Sequence, residues 1–188
     1  MPLGAARFGL SGADLGKLEL IETITMNSTS IEFTSIKESI YNVHFLTFND
    51  IDVTVDADKL KIRVSNDGGS TYESGTNYHR AHQTYSTTRS SGTGESRSTA
   101  DTGMITTNLG GTDTNSTVQG YAYLYNLGDS GKYSFHTMHS ISYRDGDSTE
   151  YRFGSGAYVV AETINALKIY SEDNTTITGT VSLYGIKE

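Results

Sequence analysis

From Lys17 to the C-terminus, apolar and polar residues alternate with a period of two, the pattern of strands that bury one face. Ile31 and Phe33 alternate with Glu32 and Thr34. Tyr41, Val43 and Phe45 then share one face of a run that also carries Leu46 and Phe48, so both of its faces are expected to be covered. Ile51, Val53 and Val55 are followed after a short polar stretch by Leu60, Ile62 and Val64, which predicts a hairpin of two amphipathic strands. Asn66 to Gly69 reads Asn-Asp-Gly-Gly, residues that tolerate positive φ and bond their own backbone, so a chain reversal is expected there.

Further along, Tyr121, Tyr123 and Tyr125 fall on one face of a strand and Ala122 and Leu124 on the other. In the next run, Tyr133, Phe135, Thr137, His139, Ile141 and Tyr143 share a face. Turn signals stand at Asp129–Gly131, Asp145–Asp147 and Gly154–Gly156, and runs at 164–170 and 177–186 close the chain. A helix of one or two turns at most fits residues 159–167. The pattern predicts about eight to ten strands spaced by about 8 to 12 residues, the arrangement of an all-β antiparallel β-sandwich or jelly roll.

Two segments break the alternation. Residues 1–16 hold four glycines and the only proline with no sustained period, and are expected to form an extended N-terminal arm for attachment, with Leu3, Phe8, Leu10 and Leu15 as its contact residues. Residues 86–117 are almost entirely Ser, Thr, Gly, Asn and Asp around a Met104-Ile105 patch, and are expected to be a long polar loop. Residues 17–188 then make one sandwich domain.

Composition narrows the function classes. A net charge of −8 makes duplex nucleic acid the wrong partner, because phosphate binding needs clustered Lys and Arg. With no cysteine there is no disulfide, thiolate metal site or thiol nucleophile. No window approaches about 18 consecutive apolar residues, and Met1 to Leu10 lacks a charged start followed by an apolar core, so neither a membrane span nor a secretory signal is expected.

Candidate chemistry is sparse. His79 and His82, and His136 and His139, stand three apart, but on strands such pairs point to opposite sides and cannot chelate together. Asp67, Asp145 and Asp147 resemble fragments of a calcium loop without its further acidic positions, and Asx-turn chemistry accounts for them. No nucleophile-elbow motif appears. No catalytic residue, metal site or cofactor is expected. The tyrosines stand out: Tyr72, Tyr78, Tyr85, Tyr121, Tyr123 and Tyr125 either cover the core and pair across strands or form a recognition or interface surface.

The stretches KLKIRVSNDGGSTYESGTNY, GYAYLYNLGDSGKYSFH, FGSGAY and ITGTVSLYGIKE, after the opening MPLGAARFGLSG, resemble the jelly-roll virion proteins of tailed bacteriophages, notably those of marine bacteria. The resemblance implies a non-enzymatic virion structural protein that decorates a capsid or builds a tail appendage. It implies assembly in the bacterial cytoplasm as a symmetric homo-oligomer, with other virion proteins as partners. The alternative is a carbohydrate-binding module of a tail fibre that recognises host surface glycans.

Overall fold

The computed structural model describes residues 17–53, 59–88, 93–108, 115–144 and 148–187. The expected arm, with Leu3, Phe8, Leu10 and Leu15, and the Asp145–Asp147 turn lie outside the described residues. Among the described residues the structure is all-β, with no helix. The strands are β1 (Lys17–Ser28), β2 (Ser30–Phe33), β3 (Val43–Val53), β4 (Lys59–Ser65), β5 (Tyr78–Ser86), β6 (Thr93–Asp101), β7 (Met104–Asn108), β8 (Val118–Tyr125), β9 (Ser134–Arg144), β10 (Ser148–Tyr158), β11 (Ala166–Ser171) and β12 (Ile177–Lys187).

They form two antiparallel sheets, a large one in the order β1-β12-β3-β8-β9-β10-β5-β6 and a small one in the order β2-β11-β4-β7. The core lies between them. Leu46, Phe48, Leu124, Val181 and Leu183 of β3, β8 and β12 belong to one buried cluster with Phe33, Leu60, Ile62 and Ile169 of the small sheet. Each such side chain contributes about 1.5–3 kcal/mol by leaving water.

Several expectations change, among them the short helix at 159–167, where irregular chain leads into β11. β3 and β4 do not form a hairpin: β3 pairs with β12 and β8, and β4 pairs with β11 and β7 in the other sheet. An amphipathic strand can bury its apolar face beside its sequence neighbour or across the core from it, and a period of two is the same in both cases. The polar stretch 86–117 is not one long loop, because β6 and β7 run through it. β6 is the edge of the large sheet, where exposed Glu95, Arg97 and Thr99 suit a strand paired on one side, and β7 is fixed by Met104, which is 1% exposed. The Gly154-Ser155-Gly156 sequence is not a break but mid-strand in β10, paired on both sides.

The run from Val43 to Phe48 has one core face, His44, Leu46 and Phe48, while Phe45 sits half-buried on the opposite face. Beyond the apolar core a chain of charges ties the sheets together: Arg80 on β5 pairs with Asp101 on β6, and Asp101 lies 3.0 Å from Lys61 on β4. Lys61 also pairs with Glu172, which pairs with Lys59. Lys61 and Asp101 are both buried, so each depends on the other to stay charged.

The register makes a direct prediction. Leu124→Ala, on the core face of β8, is expected to lower unfolding free energy by about 2–5 kcal/mol. Tyr123→Ala, one residue away on the other face, is expected to cost less, about 0.5–1.5 kcal/mol, because ring contacts and no core burial are lost. Urea denaturation of the two variants checks this, and equal losses would contradict the assigned faces.

Candidate functional site

On most strands of a sandwich the apolar set faces the core. β9 and β10 reverse this. The buried face of β9 carries Ser134, His136, Met138, Ser140 and Ser142, while Phe135, Thr137, Ile141 and Tyr143 face outward and are exposed. β10 buries Ser148, Glu150 and Arg152 and turns Tyr151 and Phe153 outward. The outer face of the large sheet therefore carries an aromatic surface.

Strand pairing assembles that surface from separate parts of the sequence. Thr47, Tyr121, His139, Phe153 and Gln83 lie in one register row across β3, β8, β9, β10 and β5. The adjacent row runs from Tyr184 on β12 through Phe45, Tyr123, Thr137 and Ser155 to Ala81. Ring contacts join the rows. Phe45 lies 6.1 Å from Tyr184, 4.8 Å from Tyr123 and 5.7 Å from Tyr121. Tyr121 stacks on His139 at 5.3 Å and 17°. His139 meets Tyr151 and Phe153, each at 6.0 Å, and Phe153 stacks on Tyr85 at 6.0 Å and 9°. The Tyr151 hydroxyl and His139 Nδ1 are hydrogen-bonded at 2.9 Å. Aromatic pairs contribute about 0.5–1.5 kcal/mol each, so neighbouring rings hold one another in place.

The surface is indented on either side of His139. One concavity of about 390 Å³ is lined by Gln119, Tyr121, His139, Ile141 and Tyr151 over the backbone of Gly120. Gln119 is fixed by Asp50, whose backbone N–H donates to its Oε1 at 3.2 Å and whose Oδ1 accepts from its Nε2 at 2.6 Å. A second, of about 560 Å³, lies between His139, Phe153 and Thr137 and the polar side chains Gln83, Glu95 and Arg97.

The tyrosines singled out from the sequence divide accordingly. Tyr121, Tyr123, Tyr125 and Tyr85 belong to the outer face. Tyr78 does not. It is buried against Tyr158 at 5.0 Å, donates its hydroxyl to the Glu73 carbonyl and accepts from the Val64 N–H, and burial pushes its pKa up. Tyr72 is half-buried in a loop, with Lys168 Nζ 5.5 Å from its ring centre, and burial together with nearby Glu32 raises it to about 12. Sequence reasoning missed Phe45, His139, Tyr151, Phe153 and Tyr184 as members of this surface. Their alternation was visible, but nothing in it told which face looks inward.

Histidines and acidic turns sit as their local geometry requires. His139 is on the outer face and His136 on the inner, and likewise His79 and His82. The Asp67 carboxylate accepts from the Thr71 N–H at 2.9 Å, the Thr71 hydroxyl at 2.7 Å and the Ser65 hydroxyl at 2.7 Å, which holds its pKa down to about 2. It is an Asx turn. Among the described residues no group of three or more His, Asp or Glu is placed to hold a metal ion, and no helix is long and apolar enough to cross a membrane.

Beneath the aromatic face, His82 and His136 meet edge to face at 6.2 Å. A Cβ on Gly154 would come within 2.5 Å of the His82 ring, and one on Gly156 within 2.4 Å of the His136 ring, so both glycines are needed where the imidazoles cross β10. His82 is 3% exposed, and neither of its ring nitrogens has a hydrogen-bond partner among the described residues. Burial, then nearby His136, Arg152 and Arg80, lower its pKa from 6.5 to about 3.

Acid should therefore destabilise the fold before the carboxylates titrate. Between pH 6.5 and 3 the unfolded chain takes up a proton at position 82 that the folded protein does not, so stability falls as pH falls through that window. At pH 5 the loss from this group is about 2 kcal/mol relative to pH 7 by proton linkage. Urea midpoints at both pH values check this, and His82→Phe is expected to remove most of the difference.

Comparison with known proteins finds no matching family model, no similar curated protein and no similar solved structure.

Proposed function

We propose that the protein is a non-enzymatic binding module of jelly-roll type whose outer sheet face recognises a saccharide. The carrying observation is the reversed polarity of β9 and β10, which leaves Phe135, Ile141 and Tyr151 exposed at 44%, 48% and 40% beside polar side chains. Rings offer flat apolar faces to the C–H face of a sugar, and Gln83, Gln119, Glu95 and Arg97 offer donors and acceptors to its hydroxyls. The jelly-roll reading is supported by the path of the chain. β2, β4, β7 and β11 belong to the small sheet and the intervening strands to the large one, so that early and late strands interleave as in paired Greek keys.

A glycoside-cleaving role would use a pair of carboxyl groups flanking the bound sugar. Glu73 and Glu162 share a polar recess at the end of β4, but the Glu73 carboxylate accepts from the Gly75 N–H and the Glu162 carboxylate from Asn66 and the Tyr158 hydroxyl.

The second reading is a virion structural protein, as capsid decoration or tail appendage. It is favoured by the same strand path and by β1, a twelve-residue strand at the sheet edge with Leu18 and Leu20 exposed. An open edge of that length can pair with another chain.

Two measurements test these readings. On an array of polysaccharide fragments, the double change Tyr121→Ala with Tyr151→Ala is expected to weaken binding about tenfold or more, equivalent to about 1.4 kcal/mol, in a variant that circular dichroism shows to be folded at the assay temperature. Absence of binding by the unmodified protein would overturn the saccharide reading. Light scattering of the full chain and of residues 17–188 tests the other: a closed oligomer that is lost on truncation supports a virion role with an attachment arm. A monomer in both forms counts against it.

A further inference from the structure

We infer that the ligand is a linear glycan lying lengthwise along β10, in a trough that runs from Phe153 to Ala157. This rests on the saccharide reading and adds to it the ligand's shape and direction.

The two concavities beside His139 do not end there. A third, of about 480 Å³, shares Ala81, Thr137 and Ser155 with the second and continues to Phe135, Ala157 and Thr99. The second and third follow one line parallel to the strands, while the first lies to its side over β8 and β9, across His139. From Phe153 to Ala157 that line covers four residue steps, about 14 Å at about 3.4 Å per residue.

Its cross-section explains why it is a trough. The outward residues at its centre, Ser155, Ala157, Ala81 and Thr137, are all small. Toward β8 the floor rises to Tyr123 and Tyr125, which share register rows with Thr137 and Phe135. Toward the sheet edge it is bounded by Glu95 and Arg97 on β6, opposite Gln83 and Ala81. Rings stand at both ends, His139 and Phe153 at one and Phe135 at the other, with Tyr121 and Tyr151 beyond His139 in the first concavity.

That arrangement suits a chain of sugars better than a single one. Each concavity is shallow and grips one side of its occupant, so affinity must accumulate over successive units. It suits a second copy of this protein poorly. Two such faces apposed in register would set small-residue floor against small-residue floor and ring against ring at the rims, leaving the gap between the floors unfilled. An acid and a base side by side on the rim give hydroxyl groups both an acceptor and a donor and favour no net charge.

The test uses linear oligosaccharides of α-linked glucose, β-linked glucose, N-acetylglucosamine and uronic acid, each from disaccharide to octasaccharide, titrated calorimetrically against the full chain. Affinity in at least one series is expected to rise about tenfold or more with length before levelling off. Ser155→Trp, at an exposed position in the middle of the trough, is expected to reduce the longest ligand to disaccharide affinity with an unchanged melting temperature. Tight binding that saturates at a disaccharide, or that ignores Ser155→Trp, would overturn the lengthwise trough and leave the saccharide reading standing. No binding in any series would overturn both, and so would self-association that Ser155→Trp abolishes.

Discussion

A strand of five residues has to cover the inner face of four. β7, Met104 to Asn108, is the edge of the small sheet and packs against β8, β9, β10 and β5 of the large one. It brings Met104 and buried Thr106 and Thr107, with the Thr106 hydroxyl donating to the Leu60 carbonyl at 2.9 Å. So little apolar surface cannot match the inner faces of four strands. The interior there is accordingly built from hydroxyls, imidazoles and charges, while the apolar cluster concentrates under β12, β3 and β8. The Arg80, Asp101, Lys61 and Glu172 chain belongs to this polar end and provides the attraction between sheets that hydrophobic contact supplies elsewhere. Such a compartment tolerates proton uptake poorly, because a charge added at His82 would meet Arg80 and Arg152.

β10 links this interior to the outer surface. Within Phe153 to Tyr158, inward Gly154 and Gly156 make room for the His82 and His136 rings, and outward Ser155 and Ala157 keep the opposite side low. The sheet is thinned from both sides at the same four residues. Depth on the outside and imidazoles on the inside are two results of one local composition, and a larger residue at 154 or 156 would disturb the outer face by displacing what lies beneath it.

Period-two alternation placed most of the strands correctly, because side-chain direction along a strand depends on little else. It grouped Tyr121, Tyr123 and Tyr125 on one face and Phe135 through Tyr143 on another, and both groupings match the structure. Pairing was not legible. β3 and β4 look like a hairpin and lie in different sheets, because which partner a strand takes depends on residues far away in sequence. Direction was not legible either: the usual preference would turn Phe135, Ile141 and Tyr151 inward, and the Ser, Glu and Arg set that displaces them makes sense only beside the short β7. Tyr78 and Tyr121 look equivalent in sequence, and one is core and the other surface, since Tyr78 finds partners for its hydroxyl inside at the Glu73 carbonyl and the Val64 N–H.

The reversed faces also bear on what selects them. A one-residue change of register would bury the aromatic set of β9 and β10, and each large apolar side chain so buried would contribute about 1.5–3 kcal/mol. The chain forgoes that gain at several positions and retains buried Glu150 and Arg152 instead. Departures from consistent patterning are expected where function competes with stability. The neighbouring strands β3, β8 and β12 keep apolar core faces apart from His44, which bonds the Ile36 carbonyl, so the reversal of whole faces is confined to β9 and β10. Under the saccharide reading proposed above, a surface held open to a ligand would account for that confinement.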